Sequence, residues 1–201
     1  MRTLIIISVL LFSLFLGASS YSADFNKGLT AAQSGDFATA LKEWKPLAGQ
    51  GDADAQTNLG LMYQNGWGVP QDDKEAVYWY KLAAEQGDAK AHYNLGVMYD
   101  VGEGVPQDDK EAVRWYTLAA EQEHAKAQYN LGVMYNNGNG VPQDYKEAVY
   151  WYQLAAEQGH SKAQGNLGVM YAFGNGIIKD YVYAHMWGNI CLLYTSPSPR
   201  D

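Results

Sequence analysis

The sequence predicts an all-α solenoid of stacked helix-turn-helix repeats, and three observations carry that prediction. The hexapeptide Asn-Leu-Gly-Val-Met-Tyr occurs at Asn94–Tyr99, Asn130–Tyr135 and Asn166–Tyr171, and a near copy sits at Asn58–Tyr63, each 36 residues after the last. Every period holds two stretches with apolar residues at helical spacing. Glycines and a proline punctuate the same place between those stretches. A fixed period of this size marks an array in which each unit buries its apolar face against its neighbours.

The chain opens on a different composition. Arg2 precedes an apolar run of 13 residues, Leu4 to Leu16, and small residues follow. This is the layout of a secretory signal peptide, predicted for residues 1–23 with cleavage after Ala23. Such a run is too short to cross a bilayer core of about 30 Å as a helix. Leu16–Ser19 resembles a lipobox, with Ser19 where the lipidated cysteine would stand. No stable membrane anchor is therefore expected, and the predicted location is periplasmic or secreted.

Residues 24–51 form a shorter leading unit with the same Ala/Trp/Leu skeleton and only Gly35-Asp36 as its turn. Full units follow at 52–87, 88–123 and 124–159, then a truncated one at 160–190. The last eleven residues, Cys191 to Asp201, break the register. They resemble one reading frame of a transposase adapter from sequencing libraries, so the native chain is expected to continue differently after Ile190. Cys191 is the only cysteine, which leaves the repeats without a disulfide, thiolate site or catalytic thiol.

Within a unit, Ala91, Leu95, Met98 and Tyr99 form one apolar stripe, predicting the first helix. Gly96 costs such a helix about 0.8–1 kcal/mol against alanine. Its recurrence at Gly60, Gly132 and Gly168 implies that a neighbouring helix comes too close for a side chain. Gly102 and Gly104 end the helix with positive φ, and Pro106 prevents its continuation. Asp108 and Glu111 predict a capping box for the second helix, repeated at Asp72/Glu75 and Asp144/Glu147. That helix is expected to bury Ala112, Trp115, Tyr116 and Ala119, with Trp79 and Trp151 as equivalent core tryptophans. In the truncated unit Tyr183 replaces the box glutamate, predicting a weaker start.

The pattern A-x-x-x-L-G-x-x-Y-x-x-G-x-G-V-x-x-D, followed by A-x-x-W-x-x-x-A-A-x-x-G, resembles the Sel1-like repeat, a relative of the tetratricopeptide repeat. The resemblance covers nearly all of 52–190. It implies a right-handed α/α superhelix and an adaptor that binds other proteins or peptides, often in the bacterial envelope. A module for an envelope glycan or cell-wall peptide is the alternative. Hydrolytic activity belongs to a cysteine-rich branch of the family, and the repeats here have no cysteine.

Other chemistries are poorly supported. The net charge is −8, the wrong sign for nucleic acid or an anionic membrane. Asp72, Asp73 and Glu75 sit at a helix start, where capping and the helix dipole account for them. The glycine loops lack the Lys-Ser/Thr and preceding strand of a phosphate loop. His92, His124, His160 and His185 have no ligand spacing. No catalytic residue, metal or cofactor is expected.

Packing explains the Leu, Gly, Met and Tyr of the hexapeptide and leaves its asparagine over. Asn94, Asn130 and Asn166 each follow a lysine by four residues, Lys90, Lys126 and Lys162, so each pair shares a helix face. In the first unit Asp54 precedes Asn58 instead. The tetratricopeptide resemblance implies that these columns line a concave groove and clamp a peptide's terminal carboxylate. Two neighbouring columns vary as a reading surface would: Thr57, Tyr93, Tyr129 and Gly165, and Asn65, Val101, Asn137 and Phe173. The competing structural reading has the lysines solvated and the asparagines bonded to the adjacent repeat's backbone.

Overall fold

The structure, a computed structural model, describes residues 23–195, with side chains to residue 188. The signal-peptide segment up to residue 22 and the last adapter-like residues lie outside the described part. Ten α-helices and no strand are found among the described residues. The leading unit is α1 (Phe25–Gln33) and α2 (Phe37–Gly49). Next come α3 (Ala53–Asn65), α4 (Asp73–Ala84), α5 (Ala89–Val101) and α6 (Asp109–Ala120). The array continues through α7 (Ala125–Asn137), α8 (Tyr145–Glu157), α9 (Ser161–Phe173) and α10 (Tyr181–Thr195). Each helix packs against the one before and the one after, the signature of an α/α solenoid.

Local chemistry sets the boundaries. Asp52 and Asp88 cap α3 and α5 by accepting from the N–H groups of Ala55 and Ala91. In the next two units histidine takes over. His124 and His160 accept through Nδ1 from Ala127 and Ala163, both at 3.3 Å. Gly66, Gly102, Gly138 and Gly174 close the first helices in the left-handed region, where an L side chain is disfavoured.

The capping box of the second helix forms by half. Asp108 accepts from the N–H of Lys110 and Glu111, but its own N–H donates to the carbonyl of Tyr99 at 2.9 Å. Asp72 and Asp144 repeat this with Tyr63 and Tyr135. The donor that the box glutamate would satisfy is already taken by the tyrosine that ends the hexapeptide. Glu111 turns instead to Arg114. Asp180 makes the same cap onto Val182 and Tyr183, so the start of α10 keeps its first bonds without a glutamate.

Of the two aromatics expected in the core, the tyrosine is fully enclosed and the tryptophan only in part. Tyr80, Tyr116 and Tyr152 are at most 1 % exposed, whereas Trp79, Trp115 and Trp151 are only partly buried. The tryptophans are half-covered, packed against the cluster of their own unit's first helix and the second helix before it. The Arg114 guanidinium stands 3.9 Å over the Trp115 ring, and Tyr78 and Tyr150 meet Trp79 and Trp151 edge-on. Each buried tyrosine faces the helical glycine of its own unit. A Cβ on Gly60, Gly96 or Gly132 would clash with the ring of Tyr80, Tyr116 or Tyr152. The close approach read from the sequence is therefore a ring laid flat on bare backbone. Gly168 meets α10 differently, with the carbonyl of Ala184 as nearest atom.

A second device joins unit to unit. Gln56, Gln128 and Gln164 are buried, and each donates to the last-turn carbonyl of the preceding second helix, Ala48, Ala120 and Ala156. His92 fills the same place and meets the Ala84 carbonyl at 3.1 Å. From the far end of each unit, Gln86, Gln122 and Gln158 reach back to Gln56, His92 and Gln128. Each of these carbonyls already accepts a backbone N–H, from Gly51, Gly87, Glu123 or Gly159, and the next repeat adds a second bond to it.

Candidate functional site

The odd-numbered helices α3, α5, α7 and α9 share one face, and the lysine and asparagine columns lie on it. Lys90, Tyr93 and Asn94 of α5 meet Thr57 and Leu61 of α3 and His124, Ala125 and Lys126 of α7 around a depression of about 420 Å³. One unit on, Tyr93 and Lys126 join Tyr129, Asn130, His160, Ser161 and Lys162 around a second, of about 340 Å³. The two share Tyr93 and Lys126, so they form one groove. Asn58 stands apart from both, in an apolar hole nearer the chain start. Asn166 lies on α9 past the second depression, without lining it.

The floor of the groove is built by a pairing that the sequence alone did not reveal. The column of Thr57, Tyr93 and Tyr129 contacts the helix cap of the next unit. Thr57 donates to the Asp88 carboxylate at 3.0 Å. Tyr93 stacks on His124 with centroids 4.7 Å apart, and Tyr129 stacks on His160 at 4.6 Å. Hydroxyl meets carboxylate and ring meets ring. The signal was present as covariation between two columns of the same chain, Thr-Asp once and Tyr-His twice.

Two of the asparagines lie against buried tyrosines. Asn130 lies near the Tyr116 hydroxyl of the preceding unit and Asn166 near that of Tyr152, each lowering the tyrosine's pKa against the larger effect of burial. Tyr116 in turn donates to Asp100. Burial pushes the Tyr152 hydroxyl up to about 12 and raises Tyr116 as well, so both stay neutral hydrogen-bonding groups. Each neighbour is a side chain of the preceding unit, where the structural reading expected backbone.

The lysines point outward and are exposed. Lys90 lies 3.7 Å from Asp54, across a pair more than half exposed on both sides, a contact that contributes little. The histidines between the lysines are held below their ordinary value. For His124 burial is the largest cause and Lys126 the next; for His160 burial comes first, then Lys162 and Lys126. With Nδ1 accepting from backbone, the neutral ring carries its proton on Nε2. The groove is thus a neutral aromatic floor flanked by ammonium groups, in a chain of net charge −8.

Among the described residues no group of three or more His, Cys, Asp or Glu is placed to hold a metal ion. No helix there is long and apolar enough to cross a membrane.

No curated protein sequence matches the chain. Among solved structures it is similar to a Sel1 repeat protein from Oxalobacter formigenes, at 36% identity and TM-score 0.80, covering 86% of this chain and 71% of that one. It is also similar to c5321 of uropathogenic Escherichia coli, a protective antigen displaying an SLR fold, at 37% identity and TM-score 0.77. That match covers 85% of this chain and 41% of the other. A Klebsiella pneumoniae Sel1 repeat protein shares the fold at 23% identity and TM-score 0.57, over 85% of each chain. The Sel1 repeat profile matches four times, at residues 53–88, 89–124, 125–160 and 161–188. Each match starts at or beside the first residue of an odd-numbered helix, and such repeats in general serve as protein–protein interaction scaffolds. With every period of the profile coinciding with one helix pair of the array, the chain belongs to the Sel1 repeat family.

Proposed function

We propose that the chain is a non-enzymatic scaffold of the periplasm or secreted space that binds an extended peptide along the face of α3, α5, α7 and α9. One observation carries the reading: two depressions joined through Tyr93 and Lys126, each edged by two lysines of the periodic column. An extended chain advances about 3.3–3.6 Å per residue, so a few residues reach from one depression to the next. The lysines supply charge-assisted contacts to a carboxylate, with the C-terminal carboxylate of the peptide seated beside Lys126. The glycan alternative is less favoured, because His124 and His160 already cover a face of each tyrosine that a sugar ring would stack on.

The test compares one peptide as free acid and as C-terminal amide. The free acid is expected to bind more tightly, with affinity falling as salt rises. Replacing Lys90, Lys126 and Lys162 together with alanine should leave the helical fold intact and reduce binding by about 1–3 kcal/mol. Equal affinity for acid and amide would overturn the carboxylate contact.

A further inference from the structure

The groove does not stop at Leu61. That side chain also edges a smaller hole of about 260 Å³ at the chain's leading end, formed with Leu29, Phe37, Trp44, Met62 and Trp67. Its origin lies in the departures of the first units from the repeat. Trp67 occupies the loop place held by Glu103 and Asn139 in later units. It stacks on Phe37 with centroids 5.1 Å apart and a 9° interplanar angle. Leu29 at 38 % and Trp67 at 41 % are more exposed than large apolar side chains usually are. Lysine is absent from the rim: Asp54 stands where Lys90, Lys126 and Lys162 stand later.

We propose that this hole takes one large apolar side chain of the same peptide, so that the groove recognises an apolar residue followed at a fixed distance by a free C-terminal carboxylate. The inference rests on the peptide reading above and adds to it the second determinant and the direction of the bound chain. A volume just below the ~300 Å³ at which small-molecule sites begin suits a single phenylalanine, leucine or methionine side chain. Charge complementarity sets the polarity: apolar contact at the Leu29–Trp67 end, carboxylate among the lysines of α5 and α7. A helix with its side chains is about 10–12 Å across, and the way from α3, which edges the hole, to Lys90 on α5 and Lys126 on α7 is one to two such widths. At about 3.3–3.6 Å per residue, the spacing is on the order of five residues.

The experiment uses the full chain and four fluorescein-labelled heptapeptides of glycine and serine, read by anisotropy. Each carries phenylalanine or alanine five residues before its C-terminus, and each pair is made as free acid and as amide. The phenylalanine acid is expected to bind at least tenfold more tightly than the alanine acid, as burial of such a side chain implies. Leu29→Asp, at an exposed site, should erase that preference while leaving the difference between acid and amide. Equal binding of phenylalanine and alanine acids, with acid still above amide, would overturn this inference and leave the peptide reading standing. Loss of the acid–amide difference would instead overturn the peptide reading. Self-association of the chain without peptide, abolished by Leu29→Asp, would assign the hole to a second copy and overturn the proposal.

Discussion

Tyr152 lies flat on the backbone of Gly132, its ring atoms 2.7 Å from the point where a Cβ would stand. Helix propensity alone favours alanine over glycine there by about 0.8–1 kcal/mol. The buried ring reverses the sign, because it is fixed by burial and has no room to move. Gly132→Ala is expected to destabilise by about 1–3 kcal/mol. Gly165, in the helix of the next unit, has nothing within 4 Å of its would-be Cβ. Gly165→Ala should stabilise by about 0.5–1 kcal/mol. Denaturant unfolding of the two variants checks both signs; a gain from both would mean that the ring does not hold its place.

Glu123 is the one non-glycine residue with positive φ among the described residues, at 60°. The equivalent places in the neighbouring units hold Gly87 and Gly159. A left-handed conformation costs a side-chain-bearing residue about 1–2 kcal/mol, partly offset by the greater freedom of glycine when unfolded. Glu123→Gly is expected to raise stability by about 1 kcal/mol, read as a higher denaturation midpoint.

Acid should loosen the array before it titrates the carboxylates. His92, His124 and His160 are all held below the ordinary histidine value near 6.5, with burial as the main cause. Lys126 and Lys90 act on His124, and Lys162 and Lys126 on His160, in the same direction. Asp88 works the other way at His92 and His124. On balance the unfolded chain binds protons more readily than the folded one. Stability from these groups is therefore complete above about pH 7 and declines as pH falls through 6.5 towards the lowered folded values. Protonation also puts a proton on the Nδ1 atoms that accept the Ala127 and Ala163 N–H groups. Replacing all three with the residues of other units, His92→Gln, His124→Asp and His160→Asp, should flatten the midpoint between pH 5 and 7.

Export makes a prediction at the other end. The N–H of Asp24 donates to Glu43 at 3.0 Å, and Glu43 is fully buried beside Lys27. Cleavage after Ala23 would turn that N–H into an ammonium group facing a buried carboxylate. The exported protein is expected to have lost residues 1–23, which its intact mass reports. Glu43→Gln should then destabilise it by about 2 kcal/mol, below the 3–5 kcal/mol of a fully enclosed pair because Lys27 is 57 % exposed. An unprocessed amino terminus would refute the export reading.

The fold was legible because periodicity reports packing directly: Leu95, Met98, Gly96 and Gly102 each do in the structure what their spacing implied. The errors arose where two residue types competed for one role. Trp115 and Tyr116 are adjacent and both were expected in the core, but Gly96 makes room for the Tyr116 ring alone. The capping box at Asp108 closes only by half because Tyr99 accepts the second N–H from a distance in sequence that no local motif encodes. At the candidate site, the lysine and tyrosine columns were readable as one face. Their histidine partners were not, since His124 and His160 look like scattered histidines until the next unit is stacked on Tyr93 and Tyr129.

The glutamine fastening has a consequence for how such a chain changes length. Gln86 holds Gln56, and Gln56 holds the end of the helix before it; the bolt and its latch lie within a single period. A duplicated or deleted unit therefore brings or removes a complete joint, and the flanking units find the same carbonyl waiting, with a glutamine or His92 to meet it. Growth by whole periods leaves no orphaned partner behind, whereas a break inside a period always does. The repeat is the smallest piece of this molecule that can be added without repair.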